Sequence, residues 1–116
     1  MTLGENMADN GGLQRAFEAW KIQLDDPVSF ASQSLNLKGL QNYTDDQLFF
    51  LSFAQVWCHV PDTSPTGQDS KKLELDVHSP DRYRVNGVVS NSAQFAKTWQ
   101  CRVGQNMNPT KKCVIW

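Results

Sequence analysis

From Leu48 to Trp57 the chain reads Leu-Phe-Phe-Leu-Ser-Phe-Ala-Gln-Val-Trp, and only Ser52 and Gln55 break the apolar run. Thr44-Asp45-Asp46-Gln47 stands directly before it. That tetrad is a capping box, with a hydroxyl N-cap, acids in the first turn and an amide three residues on. The pattern predicts a helix opening at Thr44 and running through about Cys58. A helix with no polar face is buried on every side. A chain of 116 residues buries only a modest core and has difficulty surrounding one. More protein, from the same polypeptide or a partner, is therefore expected to pack against it.

A second helical stretch covers residues 4 to 24, where Leu13, Phe17, Trp20 and Leu24 form one apolar stripe. Gly11 and Gly12 interrupt it at about 1 kcal/mol each relative to alanine. Close approach of another backbone would explain them. Asp25-Asp26-Pro27 ends the stretch. A third helix is capped within Asn91-Ser92-Ala93-Gln94, carries Phe95 and Trp99, and is expected to stop at Gly104. Residues 27–43 and 61–72 read as polar loops, and Leu75 to Pro80 as an extended segment entering a proline turn. Val85, Val88 and Val89 around Asn86-Gly87 suggest a short turn or hairpin over 84–90. The fold class expected is mainly α in a single unit over 1–116. Its three helices pack around Phe17, Trp20, Phe49, Phe53, Trp57, Phe95 and Trp99, joined by long loops.

A net charge of −1 offers no basic field for nucleic acid, so no nucleic-acid partner is expected. No apolar run reaches the roughly 18 residues that span a bilayer. Met1-Thr2-Leu3-Gly4-Glu5 does not resemble a signal peptide, so no targeting segment is expected. Cys58, Cys101 and Cys113 are odd in number and lack C-x-x-C spacing. They read either as buried thiols of a cytosolic domain or as half-cystines with partners elsewhere. Asn42-Tyr43-Thr44 matches the N-glycosylation acceptor pattern and leans toward export.

The residues able to carry chemistry are few. In a helix, Glu5 and Asp9 stand on one face a single turn apart, flanked by Asn6, Asn10 and the two glycines. Alone, such a pair is ordinarily a solvated face. Here one carboxylate is suited to hold a cation and the other to orient a neighbour. His78 lies in Asp76-Val77-His78-Ser79-Pro80, with Arg82 and Arg84 just after the turn. A histidine and an arginine close together can stabilise an oxyanion and hold a carbonyl, and Asp76 can bond either. His59 lacks such company and reads as incidental. Trp57 with Val56 would wall an apolar pocket. H-E-x-x-H, G-x-S-x-G, P-loop and G-x-G-x-x-G motifs are absent. Glu5 and the two histidines cannot by spacing assemble a three-ligand catalytic zinc site.

Four segments occur in an order that resembles the carboxyl-terminal part of the neprilysin-type zinc metallopeptidases, family M13, which include the endothelin-converting enzymes. They are Thr2 to Gly12, Gln47 to Cys58, Asp76 to Pro80 with Arg84, and Met107 to Trp116. The resemblance implies a helical part of a thermolysin-like catalytic domain. Glu5 would be the carboxylate zinc ligand, and Asp9 would orient a ligating histidine. His78 would stabilise the tetrahedral transition state, supported with Arg84 by Asp76. Arg84 would hold a substrate carbonyl, and Val56 and Trp57 would line the pocket beside the scissile bond.

The family's H-E-x-x-H helix, with two zinc-binding histidines and the general base, would lie upstream of residue 1. All three cysteines would bond to cysteines there. The parent would be a type II membrane glycoprotein whose extracellular part trims small peptides. The expected function is a share in that zinc endopeptidase. Its partners would be peptide substrates and the upstream part of the polypeptide, and the segment would be inactive alone and prone to self-association. The alternative is a non-catalytic interaction or antigen module derived from such an enzyme. The peptidase role requires Glu5 to lie beside the His78 loop.

Overall fold

Leu13 and Phe17, one helical turn apart, set the first helix against the rest of the chain. In a computed structural model, which describes residues 2–28, 37–62, 64, 67, 75–113 and 115, that helix is α1 (Leu3–Asp25). Leu13, Phe17 and Gly11 are its buried residues, and Trp20 and Leu24 are half-buried. Gly12 is exposed, and a Cβ there would meet nothing within 4 Å. The close backbone approach expected of the glycine pair is thus not found at Gly12. α1 ends where the Asp26 carboxylate accepts from the Val28 N–H at 2.9 Å, across a proline that cannot continue a helix. Of the polar loop expected over 27–43, residues 27, 28 and 37–43 are described and are exposed and non-helical; most of 61–72 lies outside the described residues, as do Val114 and Trp116 of the last motif.

α2 (Asp45–Gln55) opens with the predicted capping box. Gln47 N–H donates to Thr44 Oγ1 at 3.2 Å, and Thr44 N–H donates to Gln47 Oε1 at 2.9 Å. The helix stops three residues before Cys58, tightening into i→i+3 bonds from Trp57 N–H to Ala54 O and from Cys58 N–H to Gln55 O. Phe50 is the one buried residue of α2. Lys21 on α1 reaches Asp46 at 3.1 Å.

Residues 84–90 are not a turn or hairpin. They lie in α3 (Asp81–Asn91), and no strand occurs among the described residues, only an isolated bridge between Gln105 and Asn108. Valine and Asn-Gly favour strand and turn locally. The start of the segment and its packing oppose them. Pro80 occupies the N-cap and its carbonyl accepts from Tyr83 and Arg84 N–H at 2.7 and 3.2 Å. Asp81 stands in the first turn, where an acid complements the helix dipole. Helical spacing then buries Val88 and Val89 together in the core.

Ser92 ends α3 and caps α4 (Ala93–Thr98), its Oγ accepting from Phe95 N–H at 3.0 Å. α4 ends earlier than Gly104. Gln100 takes the left-handed conformation at φ 54°, with Cys101 N–H bonded to Ala96 O and Gln100 N–H to Lys97 O. That is a Schellman motif with glutamine where glycine is usual. Gly104, at φ 91°, instead serves the next turn, its N–H donating to Asn108 O at 2.8 Å.

The core joins Leu13, Phe17, Phe50, Val88 and Val89, flanked by Trp20, Phe49, Phe53, Phe95, Trp99 and Met107. Phe50 is its centre. It stacks on Phe17 and meets Phe49 and Phe95 edge-on, all with ring centroids within 5.3 Å. Trp57, expected in the core, lies outside it.

Candidate functional site

α1 offers two adjacent rows at i, i+4 spacing, Glu5 with Asp9 and Asn6 with Asn10. Each of the four side chains meets a partner from the segment 78–91, in chain order. Glu5 Oε2 lies 3.3 Å from His78 Nε2. Asn6 Oδ1 accepts from Ser79 Oγ at 2.8 Å. Asp9 accepts twice from Arg84, Nε at 2.7 Å and Nη2 at 2.6 Å. Asn10 Oδ1 accepts from Asn91 Nδ2 at 2.9 Å. Asn91 Oδ1 in turn accepts from the Cys113 N–H at 3.1 Å, and Lys112 Nζ donates to Ser90 O at 2.8 Å. One face of α1 is thereby riveted to the His78 loop and α3.

The rungs differ in exposure, and the difference separates their uses. The Asp9 and Arg84 side chains are 14% and 16% exposed, whereas Glu5 and His78 are both 43% exposed. Asp9 with Arg84 is a desolvated, bidentate ion pair. Its hydrogen bonds to Asp9 hold the guanidinium pKa above the ordinary value. Burial pulls the other way, and the charges of Asp9, Glu5 and Asp81 add to the rise. The flat face of Arg84 lies over Trp57, with Cζ 4.1 Å from the ring centroid. This contact takes Trp57 away from the core and sets it beside the site, while Val56 is exposed.

Glu5 with His78, by contrast, is open to an approaching molecule. The ring is held from its other side, since Nδ1 lies 2.7 Å from Asp76 Oδ1, which also accepts from the His78 N–H at 2.9 Å. A neutral ring donates to one of the two carboxylates, and a doubly protonated ring to both.

Glu5, Asp9, Asp76, His78, Arg84 and Trp57 thus fall together, with Val56 next to Trp57 in the chain. Sequence reasoning missed the Ser79 and Asn91 partners of the asparagines, although Asn6 and Asn10 repeat the spacing of the acids. It also left His59 alone, whose Nδ1 lies 2.8 Å from Asp81 Oδ2 at the start of α3. Cys58, Cys101 and Cys113 are free thiols. Among the described residues no three His, Cys, Asp or Glu side chains gather as a metal site. A catalytic zinc takes three protein ligands, so Glu5 does not make such a centre with its present neighbours.

Carboxylates on one helix facing an imidazole and a guanidinium on a second segment form a site suited to hydrolytic chemistry. Comparisons with known proteins give the chain's family. The profile of Peptidase family M13 matches residues 1–115. The chain is 48% identical to Neprilysin-3 of Drosophila melanogaster and 48% identical to Endothelin-converting enzyme 1 of Bos taurus, over 99% of its length and 14% of theirs. It is 42% identical to Neprilysin-1 of Caenorhabditis elegans over all of its length and 15% of that protein. The chain belongs to peptidase family M13. It spans about one seventh of the length of these relatives.

Proposed function

We propose that this chain supplies the transition-state side of a zinc endopeptidase acting on small peptides, as part of an exported, membrane-anchored polypeptide. The observation that carries the reading is the solvent-open contact of His78 with Glu5, one helical turn from a part-buried Asp9–Arg84 pair. His78, held at Nδ1 by Asp76, would pass its Nε2 from Glu5, once that carboxylate is drawn to a metal ion, to the oxygen that gains charge when a peptide carbonyl is attacked. Arg84 spends two N–H groups on Asp9 and keeps others to hold a neighbouring substrate carbonyl. Trp57 and Val56 would line the pocket beside it. Glu5 is one carboxylate for a zinc ion whose remaining ligands, and the general base, would come from outside these 116 residues. No described helix is long and apolar enough to cross a membrane, so the anchor would lie elsewhere too.

The test uses the entire parent polypeptide. His78→Ala should lower kcat by about 10²–10³-fold, the loss expected for one oxyanion donor, with KM little changed. Arg84→Lys should chiefly raise KM. The 116-residue chain alone should neither cleave peptide nor bind zinc tightly. Turnover by the isolated chain, or an unaltered kcat in the His78 variant, would refute the assignment.

A further inference from the structure

Asn42-Tyr43-Thr44 plays no part in the chemistry above. Asn42 is exposed, and its side-chain amide bonds no described residue. The backbone on both sides is pinned: Tyr43 N–H donates to Leu40 O at 3.0 Å, and Thr44 N–H donates to Gln47 Oε1 at 2.9 Å. The side chain is thus presented to solvent from an ordered turn just before α2. Trp57 of the site follows the other end of that helix, whose 11 residues span about 16 Å. A bulky group on Asn42 would leave the site clear.

We propose that Asn42 carries an N-linked oligosaccharide, a reading that rests on the export proposed above. In the transfer, Asn42 Nδ2 bonds to the anomeric carbon of the first sugar. That carbon's bond to phosphate in a lipid-diphosphate oligosaccharide donor breaks. Lipid diphosphate departs, and a base takes one amide proton. Thr44 has two duties in succession. Its hydroxyl completes the acceptor triplet in the nascent chain, and after folding the same oxygen caps α2. The modified face of the folded protein must then remain in water.

Substitutions separate these duties. Thr44→Ser keeps triplet and cap, while Thr44→Asp destroys the triplet but keeps a good N-cap. Asn42→Gln removes only the acceptor. The parent polypeptide, recovered from cells with an N-glycosylation pathway, would be treated with an N-glycan amidase in H₂¹⁸O and its peptides weighed. The expected result is Asn42 converted to ¹⁸O-labelled aspartate in wild type and Thr44→Ser, and no such label in Asn42→Gln or Thr44→Asp. An unlabelled Asn42 on molecules accessible to cell-surface biotinylation would overturn the site and leave export standing. An unlabelled Asn42 on molecules that never reach the surface would overturn both.

Discussion

Asp9 and Arg84 hold each other through two nitrogens while Trp57 covers the guanidinium, so three side chains from α1, α3 and the end of α2 share one contact. Replacing Asp9 with Asn leaves a mostly buried cation facing a neutral amide. The expected loss is about 2–4 kcal/mol of unfolding free energy, read as a lower urea midpoint at unchanged slope. Arg84→Lys should recover only part of this, because an ammonium cannot reproduce the planar fork. Equal stability of wild type and Asp9→Asn would show that the pair is worth no more than a surface contact. A raised basic pKa stabilises the fold at every pH below the group's ordinary value, so the arginine's own titration contributes no pH dependence in the working range.

The Glu5/Asp9 spacing was legible because i, i+4 is local. That Asp9 bonds Arg84, 75 residues away, and that Ser79 bonds Asn6, 73 away, has no local signature. Those partners had to await the packing of α3 on α1.

At the scale of elements, α2 shows what sequence reads well. Its start is written in four residues whose side chains and backbone satisfy one another. α3 shows the opposite case, because Val-Asn-Gly-Val-Val is locally a turn between strand formers and becomes helix only through its start and its packing. Gly87 discriminates between the two. In an Asn-Gly hairpin turn it would need positive φ, and alanine there would be strained. In α3 its φ is not positive, and an added Cβ would meet nothing within 4 Å. Gly87→Ala should therefore stabilise the chain by about 0.5–1 kcal/mol and raise its helical circular dichroism. A loss of stability would return the segment to a turn. The end of α4 also differs from expectation, since two hydrogen bonds of the helix end hold Gln100 in the conformation that Gly104 was expected to take.

For the whole molecule, the question is whether the apolar surface finds enough cover. α2 was expected to be buried on all sides, yet only Phe50 is buried. Leu48, Phe49, Phe53 and Ala54 are half-covered, and Leu51 stands 39% exposed. No large side chain among the described residues is sealed below 2% exposure. The radius of gyration, 16.3 Å, exceeds the value of about 13 Å usual for a compact chain of this length. Scattered exposed leucines are ordinary, but a half-covered apolar face on one helix favours association when nothing else covers it. Free in solution, the chain should therefore bind an apolar-sensitive dye and elute above the position of its 13.1 kDa monomer, increasingly so at higher concentration. Leu51→Glu, on the solvent side of α2, should reduce both effects without unfolding α2, whose cap it does not touch. A monodisperse monomer with no dye signal would mean that the aromatic cluster around Phe50 suffices by itself. The half-covered face would then be plain surface, and the expectation of additional protein packed against α2 would lose its physical ground.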